Sequence, residues 1–285
     1  MSSEVIKAAG IGFCMGVRRA IDIITGVACE HGGVETLGAL VHNRQVLGKL
    51  AERGVRIVDD LSGVRGNIVA ISAHGVGPEV MGEIAARRLE VIDTTCHFVK
   101  RAQVAAGKLA DAGFYTVVFG DGGHPEVKGI LGWAGGKGLA TTDAADLARL
   151  SALPGKLGLL SQTTQIPDAF SRFVKSVLDI ALVKDAEIRI VDTLCHDIRR
   201  RQADTLRMAE GSDVVFVIGG RNSANTRHLF DVCAAVAGTY QIETAKEINP
   251  EWLFGKKKIG VTAGASTDDE TIDEVMARLE ELAQN

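Results

Sequence analysis

YTVVFGDGGHPEV, residues 115–127, runs a short apolar strand into a small polar loop that opens a helix. The same order recurs in NIVAISAHGVG (67–77), KLGLLSQTTQIPD (156–168), DVVFVIGGRNSANT (213–226) and KIGVTAGASTDDE (258–270). Each strand is a continuous apolar run, the pattern of a strand buried on both faces. Helical patterns such as AAGKLADAG (105–113) and DEVMARLEELA (273–283) alternate with them. Together they predict an α/β chain of mostly parallel sheets covered by helices. In such sheets ligands gather at the carboxyl ends of the strands, where all five polar loops fall.

The chain's 285 residues, 46% hydrophobic and 24% charged, allow a large buried core. Length alone suggests about two domains, or three small ones. Its 33 glycines imply many tight turns, against an average share of about 7%. A formal charge of -4 gives no field suited to nucleic acid, and the Arg199, Arg200, Arg201 cluster is too short to reverse it. No apolar run reaches the length of a membrane span, and MSSEVIKAAG lacks the features of a signal peptide, so a cytosolic, cytoplasmic protein is expected. Five cysteines, at 14, 29, 96, 195 and 233, are an odd and scattered set. In a reducing compartment they point to metal or catalytic roles rather than to disulfides.

In GFCMGVRRA, residues 12–20, Cys14 stands between two glycines where a helical pattern begins. The unpaired N–H groups and dipole of a helix start favour a thiolate there. Measured from three of the cysteines, an internal repeat emerges: Cys14 is followed 28 residues later by His42, Cys96 by His124 and Cys195 by Ser223. A second polar loop then supplies His74, Thr163 and Ser266. The chain reads as three quasi-equivalent α/β units, 1–95, 96–194 and 195–285, with the C-terminal tail packing back on the first. Equal offsets also arise from ordinary element lengths. The functional reading is a pseudo-threefold assembly whose thiolates converge on its axis. Cys29 and Cys233 lie outside the pattern and read as small buried hydrophobes, His31 and His228 as surface residues.

Three thiolates suit zinc or an iron–sulfur cluster. None of the three cysteines has the local paired ligand of a structural zinc knuckle, so spacing favours the cluster. A cubane with three protein ligands leaves one iron open as a Lewis acid, which favours an enzyme over an electron carrier. His42, His74, His124, Ser223, Asn225 and Ser266 offer hydrogen-bond donors, each just before or at a helix start, where backbone N–H groups hold anions. A phosphate or diphosphate fits, although Thr163, Ser223 and Ser266 also suit plain helix caps. Beside an anion, Glu126 is expected to resist ionisation and to serve as a proton donor; exposed, it would only complement a helix dipole.

GFCMGVRRA, VHNRQV, SAHGV, DTTCHFV, GHPEVKG, SQTT, DTLCHDIRRRQ, NSANT and TAGAS follow one another across nearly the whole chain. In this order and spacing they resemble the 4-hydroxy-3-methylbut-2-enyl diphosphate reductase family, the last enzymes of the methylerythritol phosphate route to isoprenoids. The resemblance implies a trefoil of three α/β domains around a 4Fe–4S cluster held by Cys14, Cys96 and Cys195. Its labile fourth iron takes the substrate's allylic hydroxyl, with a 3Fe–4S form as the alternative resting state. Two electrons and two protons remove that oxygen as water, giving isopentenyl and dimethylallyl diphosphate. By the same resemblance His42, His74, Ser223, Asn225 and Ser266 hold the diphosphate, with His124 beside it. Glu126 delivers protons, Thr163 orients the hydroxyl, and ferredoxin or flavodoxin supplies electrons.

Three departures accompany it. His97 stands where the family usually has proline, and His196, Asp197 and Ile198 where it reads x-Ala-Thr; Ala224 replaces a second serine. Variation beside the cluster ligands that leaves the chemistry intact is one reading of these changes. The others are a paralogue that reduces a different compound, and a non-catalytic iron–sulfur redox sensor.

Overall fold

The computed structural model describes residues 3–150 and 152–284. Among these, strands and helices alternate in the order β1 (Glu4–Lys7), α1 (Met15–His31), β2 (Val34–Leu37), α2 (Arg44–Glu52), β3 (Val55–Val58), β4 (Ile68–Ile71), α3 (Pro78–Ala86), β5 (Glu90–Asp93) and α4 (His97–Asp111). The chain continues through β6 (Tyr115–Phe119), α5 (Pro125–Trp133), β7 (Gly138–Thr141), α6 (Ala145–Ala148), β8 (Lys156–Ser161), α7 (Pro167–Leu182) and β9 (Glu187–Ile190). It closes with α8 (His196–Glu210), β10 (Val214–Ile218), α9 (Ala224–Ala234), β11 (Gly238–Ile242), β12 (Lys258–Ala263) and α10 (Asp269–Gln284).

The strands form three four-stranded sheets, ordered β1-β12-β10-β11, β3-β2-β4-β5 and β7-β6-β8-β9. Every pairing is parallel, as the continuous apolar runs require. The described residues of Met1–Arg19, Val41–Arg53 and His196–Asn285 form one compact unit, which holds the first sheet. Those of Ala20–Leu40 and Gly54–Cys195 form a second, which holds the other two.

β2 to β5 lie within 1–95, β6 to β9 within 96–194 and β10 to β12 within 195–285, and β1 alone crosses these bounds. The strand before Cys96 is β5, the edge of the sheet whose other loops carry His42 and His74. The strand before Cys195 is β9, at the edge of the sheet of His124 and Thr163. Cys14 follows β1, which pairs with β12 through Glu4↔Lys258 to Lys7↔Val261. A ligand loop belongs with the strand that ends in it, so each cysteine closes a sheet's set of loops instead of opening one. β1, at the start of the first segment, joins the C-terminal sheet, and α10 covers that sheet and packs against β1.

Burial explains the order within each sheet. All five residues of β10 are buried, as are the last five of β8 and of β12, whereas the cysteine-bearing edges β1, β5 and β9 are half exposed. Alternation sorts the central side chains onto two faces. Val117 and Phe119 of β6 and Leu157 and Leu159 of β8 pack with Phe170, Phe173 and Val177 of α7, while Val118 and Leu160 pack with Ala102 and Ala106 of α4 and Ile130 of α5. Each of the Val, Leu, Ile and Phe side chains contributes roughly 1.5–3 kcal/mol of transfer free energy. Among the described residues no helix is long and apolar enough to cross a membrane.

Candidate active site at the strand ends

The three cysteines stand immediately before α1, α4 and α8, at the strand ends where ligands gather in parallel sheets. Each is fixed by its own backbone N–H, which donates to a neighbouring strand-end loop: Cys14 to the Ala265 carbonyl at 3.1 Å, Cys96 to Ala73 at 3.0 Å and Cys195 to Thr163 at 2.9 Å. The Val17 N–H points at the Cys14 sulfur at 3.4 Å. Burial nevertheless pushes the Cys14 thiol up, outweighing the pull of that N–H and of Arg201. The helix start alone therefore does not hold a thiolate at Cys14. A metal would, because coordination itself drives off the proton. Thiols at helix starts are soft donors of the kind that iron–sulfur clusters take. Cys233 is buried and pushed up to about 12, an inert core thiol. Cys29 is exposed, contrary to its reading as a packed hydrophobe, because its position on α1 faces solvent.

A second regularity places the anion-binding candidates. His42, His124 and Ser223 each lie five residues beyond the end of their strands, at Leu37, Phe119 and Ile218. His74 and Ser266 each lie three beyond Ile71 and Ala263. The residue three beyond β8 is Thr164, so the sheet-level equivalent of His74 and Ser266 is Thr164 and not its neighbour Thr163. Sequence reading missed it; counting from the last strand residue is the signal that finds it.

In the first unit, the Ser223 hydroxyl caps α9 by accepting the Thr226 N–H at 3.3 Å, and Asn43 caps α2 by accepting the Val46 N–H at 3.1 Å. Gly220 lies so close to the His42 loop that a Cβ there would meet the His42 carbonyl at 2.2 Å. Burial lowers the His42 pKa, which keeps its imidazole neutral. The Ser266 hydroxyl and both polar atoms of the Asn225 amide are buried with no hydrogen-bond partner in the protein. Buried polar groups are nearly always satisfied, so these groups are open to a polar ligand or water.

The second unit supplies a proton-handling pair. Glu126, 2% exposed, accepts the Thr163 N–H at 2.6 Å and the Thr163 hydroxyl at 3.0 Å. Desolvation outweighs both bonds and lifts its pKa to about 7, so the carboxyl exchanges a proton near neutrality. The exposed first-turn alternative for Glu126 is thereby removed. His124 caps α5, its Nδ1 accepting the Glu126 N–H at 3.2 Å, which leaves the ring proton on Nε2 as a donor. The His74 ring meets the His124 ring edge-on, with centroids 5.2 Å apart.

Of the departures, His97 and His196 are exposed, and Ile198 is 4% exposed in the core. Asp197 binds Arg200 at 2.9 Å and Arg201 at 3.1 Å. Ala224 is the first residue of α9, beside the Ser223 cap.

Parallel sheets with thiols and polar side chains at their strand ends define a class of α/β proteins whose ligands bind outside the carboxyl ends of the strands. Residues 5–280 match the family model described as LytB protein, and the chain belongs to that family. It is 60% identical over 280 residues to the 4-hydroxy-3-methylbut-2-enyl diphosphate reductase of Dehalococcoides mccartyi strain CBDB1, covering 98% of this chain and 99% of that one. It is 42% identical to the reductase of the same name from Geobacter metallireducens, covering 98% of both. A solved (E)-4-hydroxy-3-methyl-but-2-enyl diphosphate reductase superposes with a TM-score of 0.71 at 34% identity, over 98% of this chain and 99% of that one. The fold is also that of the Plasmodium falciparum E-1-hydroxy-2-methyl-but-2-enyl-4-diphosphate reductase, with a TM-score of 0.90 at 23% identity over 97% and 88% of the two chains.

Proposed function

We propose that the chain reduces (E)-4-hydroxy-3-methylbut-2-enyl diphosphate to isopentenyl and dimethylallyl diphosphate, with loss of the hydroxyl as water, in the cytoplasm. The observation that carries this reading is the buried Glu126–Thr163 pair, because dehydroxylation needs a carboxyl that is still protonated near neutral pH. Full-length similarity to reductases of this name supports the substrate.

In this reading Cys14, Cys96 and Cys195 are the ligands of one iron–sulfur cluster. The cluster, when bound, supplies electrons at low potential and a Lewis-acidic iron. His42, His74, Ser223, Asn225 and Ser266 hold the diphosphate, with His124 beside it. The orphaned Asn225 and Ser266 groups gain the partners they lack, and neutral His42 and His124 donate through N–H. Thr163, already bonded to Glu126 through its hydroxyl, is placed to relay that contact to the departing oxygen. Two electrons from a ferredoxin or flavodoxin and two protons, the first from Glu126, balance the loss of one water.

Anaerobically reconstituted protein, supplied with this substrate and a low-potential reductant, is expected to consume it. Glu126→Gln should lower the rate by about a hundredfold or more while leaving the visible spectrum unchanged. A colourless protein that carries zinc, or a brown one that leaves the substrate intact, would overturn the reading.

A further inference from the structure

Two arginines make a contact that the reaction itself does not call for. Arg201, on the helix that begins after Cys195, is almost entirely buried and points its guanidinium at the loop leading into Cys14. It donates to the Gly12 carbonyl at 2.7 Å and to the Phe13 carbonyl at 3.3 Å, the two residues immediately before Cys14. Arg101, on the helix that begins after Cys96, does the same to the loop leading into Cys195. It donates to the Leu194 carbonyl at 3.1 Å and to the Asp192 carbonyl at 3.4 Å. Each cation thus holds the carbonyls before a cysteine other than the one that starts its own helix.

The supports around each differ in strength. The Asp197 carboxylate, one of the departures from the family pattern, accepts from Arg201 Nε at 3.1 Å and so sets the plane of the fork. Arg101 is exposed and lies over the Phe98 ring at 5.4 Å. At Gly12 the backbone has φ +88°, and a Cβ would meet Asp269 Oδ1 at 2.9 Å, so the Cys14 loop lies in a tight and uncommon conformation. Such a loop needs external bonds to keep one shape, and a planar guanidinium offers donors in a fixed fork where an ammonium is a single, rotatable point charge.

We propose that Arg201 and Arg101 are positioning residues for the ligand loops of Cys14 and Cys195, and that Asp197 orients Arg201 for this purpose. The meaning of the inference rests on the cysteines being cluster ligands; its structural content does not.

The test uses the full-length protein in two measurements. Reconstituted protein is challenged with a ferrous chelator, and iron loss is followed. The same chain, stripped of metal, is alkylated briefly, and the labelling of Cys14, Cys96 and Cys195 is compared by peptide mass spectrometry. Outer-shell contacts of this kind typically alter metal retention by about tenfold or more. Arg201→Met is therefore expected to release iron about tenfold faster and to raise labelling of Cys14 relative to Cys96. Arg101→Met should raise labelling of Cys195 relative to Cys96 by a smaller factor, being exposed. Arg201→Lys, which keeps the charge and loses the fork, should fall between Arg201→Met and the parent, and Asp197→Ala should resemble it.

An equal rise at all three cysteines would mark general loosening and overturn the proposal, as would unchanged labelling ratios. If Arg201→Met does not accumulate, Asp197→Ala and Arg101→Met decide by the same ratios. Parent protein that holds no iron would overturn the cluster reading, while the labelling ratios of the metal-free chain still judge the arginines.

Discussion

Glu126 is the proton donor of the proposed reaction, and its burial has a thermodynamic signature apart from catalysis. Its carboxyl titrates at about 7 in the folded chain against an ordinary value of 4.5. The folded state therefore binds a proton that the unfolded state has released between those values. The stability from this group is fully present below about pH 4.5 and is lost as pH rises through about 7, for a total of about 3 kcal/mol. Glu126→Gln removes that dependence. Denaturant unfolding of metal-free protein at a series of pH values from 5 to 8 should show the parent losing stability relative to the variant, and parallel profiles would refute the buried neutral carboxyl. How the residues read in sequence follows from what was missing there. The ligand-loop cysteines and strand-end histidines stand out by type and spacing. Exposure was not legible, and so Cys29 was misjudged and the fate of Glu126 stayed open. The Cys14 thiol was misjudged for the same reason, because a dipole argument at a helix start contains no desolvation term.

At the level of elements, the central strands were legible because burial on both faces makes them continuous apolar runs. The strands that lead to cysteines were not. EVIK, EVID and EIRI are four-residue, half-exposed edges whose charged ends resemble loop sequence. Missing them hid that each cysteine follows an edge strand. The strand-end loops themselves are held by close backbone packing, and Gly220 is the clearest case. Adding one methyl group there drives Cβ to within 2.2 Å of the His42 carbonyl, and backbone on both sides leaves nothing flexible to yield. Gly220→Ala should displace the His42 loop and raise the KM for the diphosphate substrate roughly tenfold or more, with a stability loss of about 1–3 kcal/mol. Steady-state kinetics beside a denaturation curve check both. An unchanged KM would show that His42 does not depend on this approach.

For the molecule as a whole, the decisive feature is that the first strand completes a sheet built from the last quarter of the chain. The Ser3 N–H donates to the Ala283 carbonyl at 3.2 Å, so the two ends of the described chain are neighbours. A circular permutant that joins these ends through a short linker and opens at the exposed Lys184–Asp185 turn should keep all three sheets. Its circular dichroism and iron content should match the parent's. Loss of both would show that the order of synthesis, and not only the final packing, is needed to reach the fold. That order has its own consequence. β1 is made about 250 residues before β12, its only sheet partner among the described residues. At ordinary elongation rates that is a wait on the order of 10–50 s. The Ala265 carbonyl that fixes Cys14 does not exist until then. If the cysteines hold the proposed cluster, its loading follows translation, because the loop that fixes Cys14 is complete only once Ala265 has been made.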